Sequence, residues 1–250
     1  MTPDVIIAFF TLTFLEVVLG IDNIIFISIL ASKFPEKKRK NLMQSGLALA
    51  MIMRILLLLG INWLIHIQTV LISVERSWFS AHISIQSLIL LAGGLFLLYK
   101  STHEIYQKVE EVEIFNNVKS PQSSVFKTLI QIVLIDIVFS FDSILTAVGM
   151  TNGISFAVWI MIGAIVVSIL IMIGFAGPIN QFINSHPSIQ ILGLSFLLLI
   201  GFMLITEAAH LSHTSLFGST IGSIPKGYLY FAIAFSLGVE MINMKMRKQK

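Results

Sequence analysis

Apolar residues run through this chain in long unbroken stretches rather than at the 3.6 or 2 period of an element with one face in water. Seven stretches reach or approach the roughly 20 apolar residues that a hydrocarbon core requires. They lie near Val5–Leu30, Asn41–His66, Ile83–Tyr99, Phe126–Met150, Ile154–Gly177, Ser188–Thr206 and Tyr228–Met244, the third being the shortest. The pattern predicts an all-α polytopic membrane protein with seven transmembrane helices. Polar material between the spans is short except from about Ser101 to Ser124. There Lys108-Val109-Glu110-Glu111-Val112-Glu113, then Asn116-Asn117 and Ser120-Pro121, reads as a solvated linker.

Composition strengthens this reading. The 250 residues are 56% hydrophobic and 12% charged, with a mean hydropathy of +0.91, whereas soluble domains carry roughly 25% charged residues. No soluble domain of any size is expected. Met1-Thr2-Pro3-Asp4 lacks a basic n-region, so the first apolar segment is expected to stay in the mature protein. With no cysteine there is no disulfide and no thiolate metal ligand. The formal charge of +3 does not point to nucleic acid, because the basic residues sit in loops and a tail between spans. Thirteen of the sixteen Lys and Arg fall on one side: Lys33, Lys37, Lys38, Arg39 and Lys40; Lys100, Lys108, Lys119 and Lys127; Lys245, Arg247, Lys248 and Lys250. Arg76 and Lys226 fall on the other, and Arg54 lies within a span. The positive-inside rule then predicts a multi-pass protein of the cell membrane, N-terminus outside and C-terminus in the cytoplasm.

Two short runs look like copies. Leu15-Glu16-Val17-Val18-Leu19-Gly20-Ile21-Asp22-Asn23 and Ile135-Asp136-Ile137-Val138-Phe139-Ser140-Phe141-Asp142-Ser143 each place two carboxylates six residues apart in an apolar stretch. A shift of 120 positions superposes Glu16 on Asp136, Asp22 on Asp142 and Asn23 on Ser143; a shift of 107 sets Gly94 against Gly201, Lys100 against Glu207 and His103 against His210. Three spans per unit is odd, so the second unit would run inverted, the usual plan of secondary transporters. One transmembrane domain, 1–250, is therefore expected to hold repeat 1 (about 1–105), a cytoplasmic linker (about 106–124), repeat 2 (about 125–210) and a last helix (about 226–246).

A charged carboxylate at the centre of a membrane helix costs about 2.5–3.5 kcal/mol on insertion scales, so four in paired positions point to a cation site. In an ideal helix Glu16 and Asp22 would project about 120° apart and share a ligand poorly. Gly20 offers flexibility, and a local unwinding near Gly20-Ile21 is an expectation the spacing raises. Glu16 and Asp136 fall near the midplane, with Asp22 and Asp142 towards opposite faces. Arg54, mid-span and always charged, should pair with one of these acids; Gly174 stands opposite it in the other repeat. Secondary candidates are Lys100 and Glu104 at the cytoplasmic end of the third span, Glu207 and His210 at the outer end of the sixth, and Glu240 in the last. The eleven methionines read as core filling. Glu16, Asp22, Asp136, Asp142 and Glu240 outnumber Arg54, so protons or a bound cation must balance them, and an anion would be repelled. Carboxylate, amide and hydroxyl oxygens without thiolate favour hard cations such as Mn²⁺, Mg²⁺ or Ca²⁺. Proton coupling would use the same acids.

At these motifs the chain resembles the TerC family of integral membrane proteins, named for tellurium resistance and placed with LysE-type exporters. The resemblance is carried by Glu16 through Asn23, Met53-Arg54, Gly93 through Glu104, Asp136 through Ser143, Leu204 to His210, and Pro225-Lys226-Gly227-Tyr228 through Glu240. It implies seven helices and export of Mn²⁺ and related divalent ions, with Glu16, Asp22, Asn23, Asp136, Asp142 and Ser143 as ion-pathway residues. It implies no resident cofactor, the metal being cargo. Many members carry extra cytoplasmic domains; regulation through one is not expected of a chain that ends soon after its last helix. Two other readings remain open: an exporter of amino acids or small cationic solutes, and a non-transporting scaffold for metal-resistance or secretion components. The partners expected are the lipid bilayer and a divalent ion, with self-association or other membrane partners left open. An enzyme is least favoured, since no metalloprotease, rhomboid-type or phosphate-loop motif is present.

Overall fold

The computed structural model describes residues 3–60, 69–111, 124–151, 153–154 and 156–247, apart from the side chains of Pro3, Leu19, Ile21, Asp22, Glu111, Asp142, Leu145 and Arg247. Seven helices long and apolar enough to cross a membrane are present among these residues. They are α1 (Pro3–Ser32), α2 (Glu36–Leu59), α3 (Ile85–Glu111), α4 (Val125–Thr151), α5 (Ala157–Ser185), α6 (Pro187–Leu211) and α7 (Lys226–Arg247). Their outward faces carry large apolar side chains such as Phe10, Phe14, Phe126, Trp159 and Phe231. In water such surface would be an aggregation hazard; against hydrocarbon it is the expected exterior.

Several boundaries differ from the sequence reading. The second span was expected to reach His66, but α2 begins at Glu36 and stops at Leu59, where Gly60 caps it by donating its N–H to the Leu56 carbonyl at 3.0 Å; His66 lies outside the described residues. The third helix continues well past Tyr99, so part of the expected linker is helical. Its charges are helix-face pairs: Lys100 bridges Glu104 at 2.9 Å, Gln107 and His103 are 3.0 Å apart, and Lys108 reaches Gln190 of α6. α5 runs through Pro178 to Ser185, since one missing N–H does not stop a membrane helix. α1 is continuous through Gly20, so the expected unwinding does not occur.

A small antiparallel sheet, order β1-β2-β3-β4, was not foreseen. It joins β1 (Val70–Arg76), β2 (Phe79–Ser84), β3 (Ser215–Leu216) and β4 (Ser219–Thr220). The β3–β4 turn places Phe217 (φ 51°) and Gly218 (φ 81°) in the left-handed region that a tight primed turn demands. The Phe217 N–H donates to the Trp78 carbonyl at 2.9 Å and ties the two hairpin tips together.

The chain separates into two compact units, each drawn from both halves of the sequence. The first, Met1–Leu64 with Ser120–Ser185, contains α1, α2, α4 and α5; here α1 packs most extensively on α5, and α2 on α4 and α5. The second, Ile65–Lys119 with His186–Lys250, contains the sheet, α3, α6 and α7, and its main contact is α3 on α6. That contact is close because Gly94 and Gly201 face each other: a Cβ on Gly94 would sit 2.7 Å from the Gly201 carbonyl oxygen, and one on Gly201 would sit 3.0 Å from that of Gly94.

Candidate functional site

Three helices of the first unit place polar groups at one buried point. Glu16 and Asn23 lie seven residues apart on α1, close to two helical turns, and so share one face; Gly20 lies between them on the same face. From α2 comes Arg54, and from α4 come Asp136 and, one turn later, Ser140. Glu16, Asn23, Arg54, Asp136 and Ser140 are all buried, Ser140 completely.

Each group in this cluster is bonded to its neighbours. The Arg54 guanidinium donates through all three nitrogens: Nη1 to Glu16 Oε2, Nη2 to Asp136 Oδ1 at 2.9 Å, and Nε to Ser140 Oγ at 2.9 Å. Ser140 Oγ in turn donates to Asp136 Oδ2 at 3.1 Å, and Asn23 Nδ2 donates to Asp136 Oδ1 at 3.0 Å. Glu16 and Asp136 thus both lie against the one guanidinium of Arg54. Their two negative charges and the single positive charge leave the cluster one charge short of neutral when both acids are ionised.

The remaining candidates distribute unevenly. Ser143 is buried on α4, but its hydroxyl donates to the Ser140 carbonyl at 3.2 Å. The side chains of Asp22 and Asp142 lie outside the described residues. Among the described residues no group of three or more carboxylate or imidazole side chains could hold a metal ion. In the second unit Glu104 is buried beside Lys100, so this pair is a structural ion pair within α3 more than a snorkelling one. On α6 Glu207 is half-buried and His210 exposed. On α7 the Oε1 of Glu240 is buried without a hydrogen-bond partner among the described residues, while Asn243 Nδ2 lies 3.5 Å from Oε2.

A cavity of about 10 Å³, measured as the space open to the centre of a water molecule, adjoins Glu16. Its lining is Leu12 and Glu16 of α1, Leu58 of α2, Ile144 and Ala147 of α4, and Met161, Ala164 and Ile165 of α5. It therefore lies on the side of Glu16 nearer the start of α1 and the end of α2, and among the described residues Glu16 is its only charged wall. A space of that size admits about one water-sized guest.

Two residues of this neighbourhood escaped the sequence reading. Ser140 stands opposite Gly20 under the shift of 120 positions, yet it bonds both Arg54 and Asp136, and the available signal was its i+4 position from Asp136. Met172 of α5 lies against Gly20, so near that a Cβ there would fall 2.8 Å from Met172 Cε and 3.7 Å from Cγ. Nothing in the spacing of α5 distinguished that methionine from core filling.

Comparison with known proteins gives a consistent result. A family model described as the integral membrane protein TerC family matches residues 1–250. The chain is similar to a UPF0053 protein of Haemophilus influenzae, with 44% identity over 246 residues that cover 98% of this chain and 96% of that protein. It is 41% identical over 247 residues to the UPF0053 inner membrane protein YgdQ of Escherichia coli, covering 99% of this chain and 95% of the relative. It is 43% identical over 241 residues to the E. coli UPF0053 protein YegH, covering 96% of this chain but 42% of that longer protein. No solved structure matches.

Proposed function

The chain belongs to the TerC family of integral membrane proteins, and on that premise we propose that it exports a hard divalent cation, Mn²⁺ foremost, from the cytoplasm. The observation that carries this reading is the cluster of Glu16 and Asp136 around Arg54, buried in an otherwise apolar set of helices. A dication that replaced the guanidinium would make the two carboxylates neutral, which a monovalent guest would not. Carboxylate and amide oxygens from Glu16, Asp136 and Asn23, with Asp22 and Asp142 as further acids along the path, are the ligand types that hard dications accept. The small cavity beside Glu16 suits a bare ion better than an amino acid.

The proposal includes an inverted repeat. Residues related by a pseudo-two-fold axis and lying close to it must touch one another or a shared neighbour. Glu16 and Asp136 do so at Arg54, and Gly94 and Gly201 do so at the α3–α6 crossing. Alternating access would then move an ion between the two ends of the path while protons exchange on the same carboxylates.

Flux in proteoliposomes loaded with a metal-sensitive dye tests the reading. Wild-type protein should pass Mn²⁺, and Asp136→Asn, or Asp22→Asn with Asp142→Asn, should lower the rate at least about tenfold, a loss of about 1.4 kcal/mol in ion stabilisation. Retained monodispersity on size exclusion separates a lost site from a lost fold. Full flux with these carboxylates neutralised overturns the proposal.

A further inference from the structure

We infer that Met172 is a ligand-bearing residue of the ion path, and that its thioether gives the site a preference for transition ions over Mg²⁺ and Ca²⁺. This rests on the cation-transport reading and adds a selectivity device to it. The argument begins at Gly20. Met172 lies so close to α1 at this point that its sulfur occupies the volume a Cβ would need, and any side chain larger than hydrogen would expel it. Gly20 is one turn beyond Glu16 and three residues before Asn23. Glu16, Gly20 and Asn23 form a single stripe on α1, and the Glu16 and Asn23 ends of that stripe are bonded to Arg54 and Asp136 respectively. The thioether therefore sits on the polar stripe between its two oxygen-bearing levels, inside the run that also holds Asp22.

Its path along α5 agrees. Met161, Ala164 and Ile165 line the cavity beside Glu16, and Met172 lies two turns past Ile165 on that helix face. A cation that moved from Asn23 past Glu16 towards the cavity would meet this sulfur. The same residue is 3% exposed, so the sulfur is held away from solvent.

The chemistry supplies what oxygen ligands lack. Carboxylates and amides bind Mg²⁺, Ca²⁺ and Mn²⁺ alike, with discrimination left to cavity size and rigidity. A thioether is neutral and has no proton to lose, so its burial carries little desolvation cost. Its soft lone pair gains little from Mg²⁺ or Ca²⁺ and more from transition ions. One such ligand among oxygens biases the site without trapping the ion as thiolates would. A purely packing role for Met172, as a knob in the Gly20 hole, makes a different prediction: Leu should replace it with little loss, since Leu and Met are close in volume.

Cd²⁺ and Ca²⁺ are the probes, because they are similar in size and differ in softness. The purified full-length protein is titrated with each ion separately, as wild type and as Met172→Leu. The substitution should weaken Cd²⁺ by about tenfold, the low end of what altered metal surroundings cost, and leave Ca²⁺ unchanged. Equal shifts for both ions, or none, would reduce Met172 to packing and overturn the inference while the transport reading stands. No binding of either ion by wild type would remove both. A second measurement does not depend on the variant folding: Cd²⁺-loaded wild type is examined by X-ray absorption at the Cd edge. Because the chain has no cysteine, a Cd–S scattering path can arise only from a methionine. Its presence in wild type and loss in Met172→Leu supports the assignment, and its absence from wild type overturns it.

Discussion

Arg54 meets Glu16, Asp136 and Ser140 with three separate nitrogens, and that geometry is available to no other side chain. Removing one partner of a buried charge network costs about 3–5 kcal/mol because the other charges are left uncompensated. Arg54→Gln should therefore destabilise the protein strongly in metal-free buffer. If guanidinium and metal compete for the same carboxylates, Mn²⁺ should restore much of that loss: at about one hundred times Kd a ligand contributes about 2.7 kcal/mol. Thermal unfolding in detergent, with and without Mn²⁺, reads the effect. The Mn²⁺-induced rise should be larger in Arg54→Gln than in wild type, and equal rises would mean that the arginine does not occupy the ion's place. At this scale the acids were legible in the sequence because a carboxylate in an apolar run is costly enough to need a reason. Arg54 was legible on the same ground. Ser140 and Met172 were not, since neither a serine nor a methionine is expensive within a membrane helix, and their roles appear only when α4 and α5 are packed against their neighbours.

Helix contacts here depend on where a side chain is missing. At the α3–α6 crossing a methyl on Gly94 would lie 2.7 Å from the Gly201 oxygen and 2.8 Å from Ile205 Cγ1, and the first of these is backbone that cannot rotate away. Gly94→Ala should force the helices apart and lower stability by about 1–3 kcal/mol, the usual range for overpacking. Gly238 of α7 has open space around its Cβ position, so Gly238→Ala should be neutral or slightly stabilising through helix propensity. Thermal unfolding of the two variants side by side checks the contrast; similar losses in both would show that the close crossing is not what matters. The seven helices themselves were readable from hydropathy, because span length is set by the bilayer and not by tertiary detail. Their ends were not. α3 reads as linker beyond Tyr99 because its charges look solvated, yet at i,i+4 spacing the same charges prolong a helix. The sheet escaped notice because its strands are short and lie in connections, where apolar Val70, Leu71 and Ile72 resemble the fringe of a span.

For the whole molecule, the distribution of charge decides orientation even though net charge does not. The formal charge of +3 is modest, but thirteen of sixteen cationic side chains fall on one side of seven spans. Each lysine or arginine that a span would have to carry through hydrocarbon costs about 2.5–3.5 kcal/mol, so the prediction is that the basic side is the one retained in the cytoplasm. Two exposed positions report this directly. Ser77, in the β1–β2 turn, belongs to the sparsely charged side, and Lys37, at the start of α2, belongs to the basic side. The absence of native cysteine means that a single introduced thiol can be followed without background. Ser77→Cys should react with a membrane-impermeant maleimide on intact cells, and Lys37→Cys only after permeabilisation. The reverse pattern would invert the molecule, place the start of α1 and the cavity beside Glu16 on the cytoplasmic side, and require an ion leaving the cell to meet Glu16 before Asn23 instead of after it.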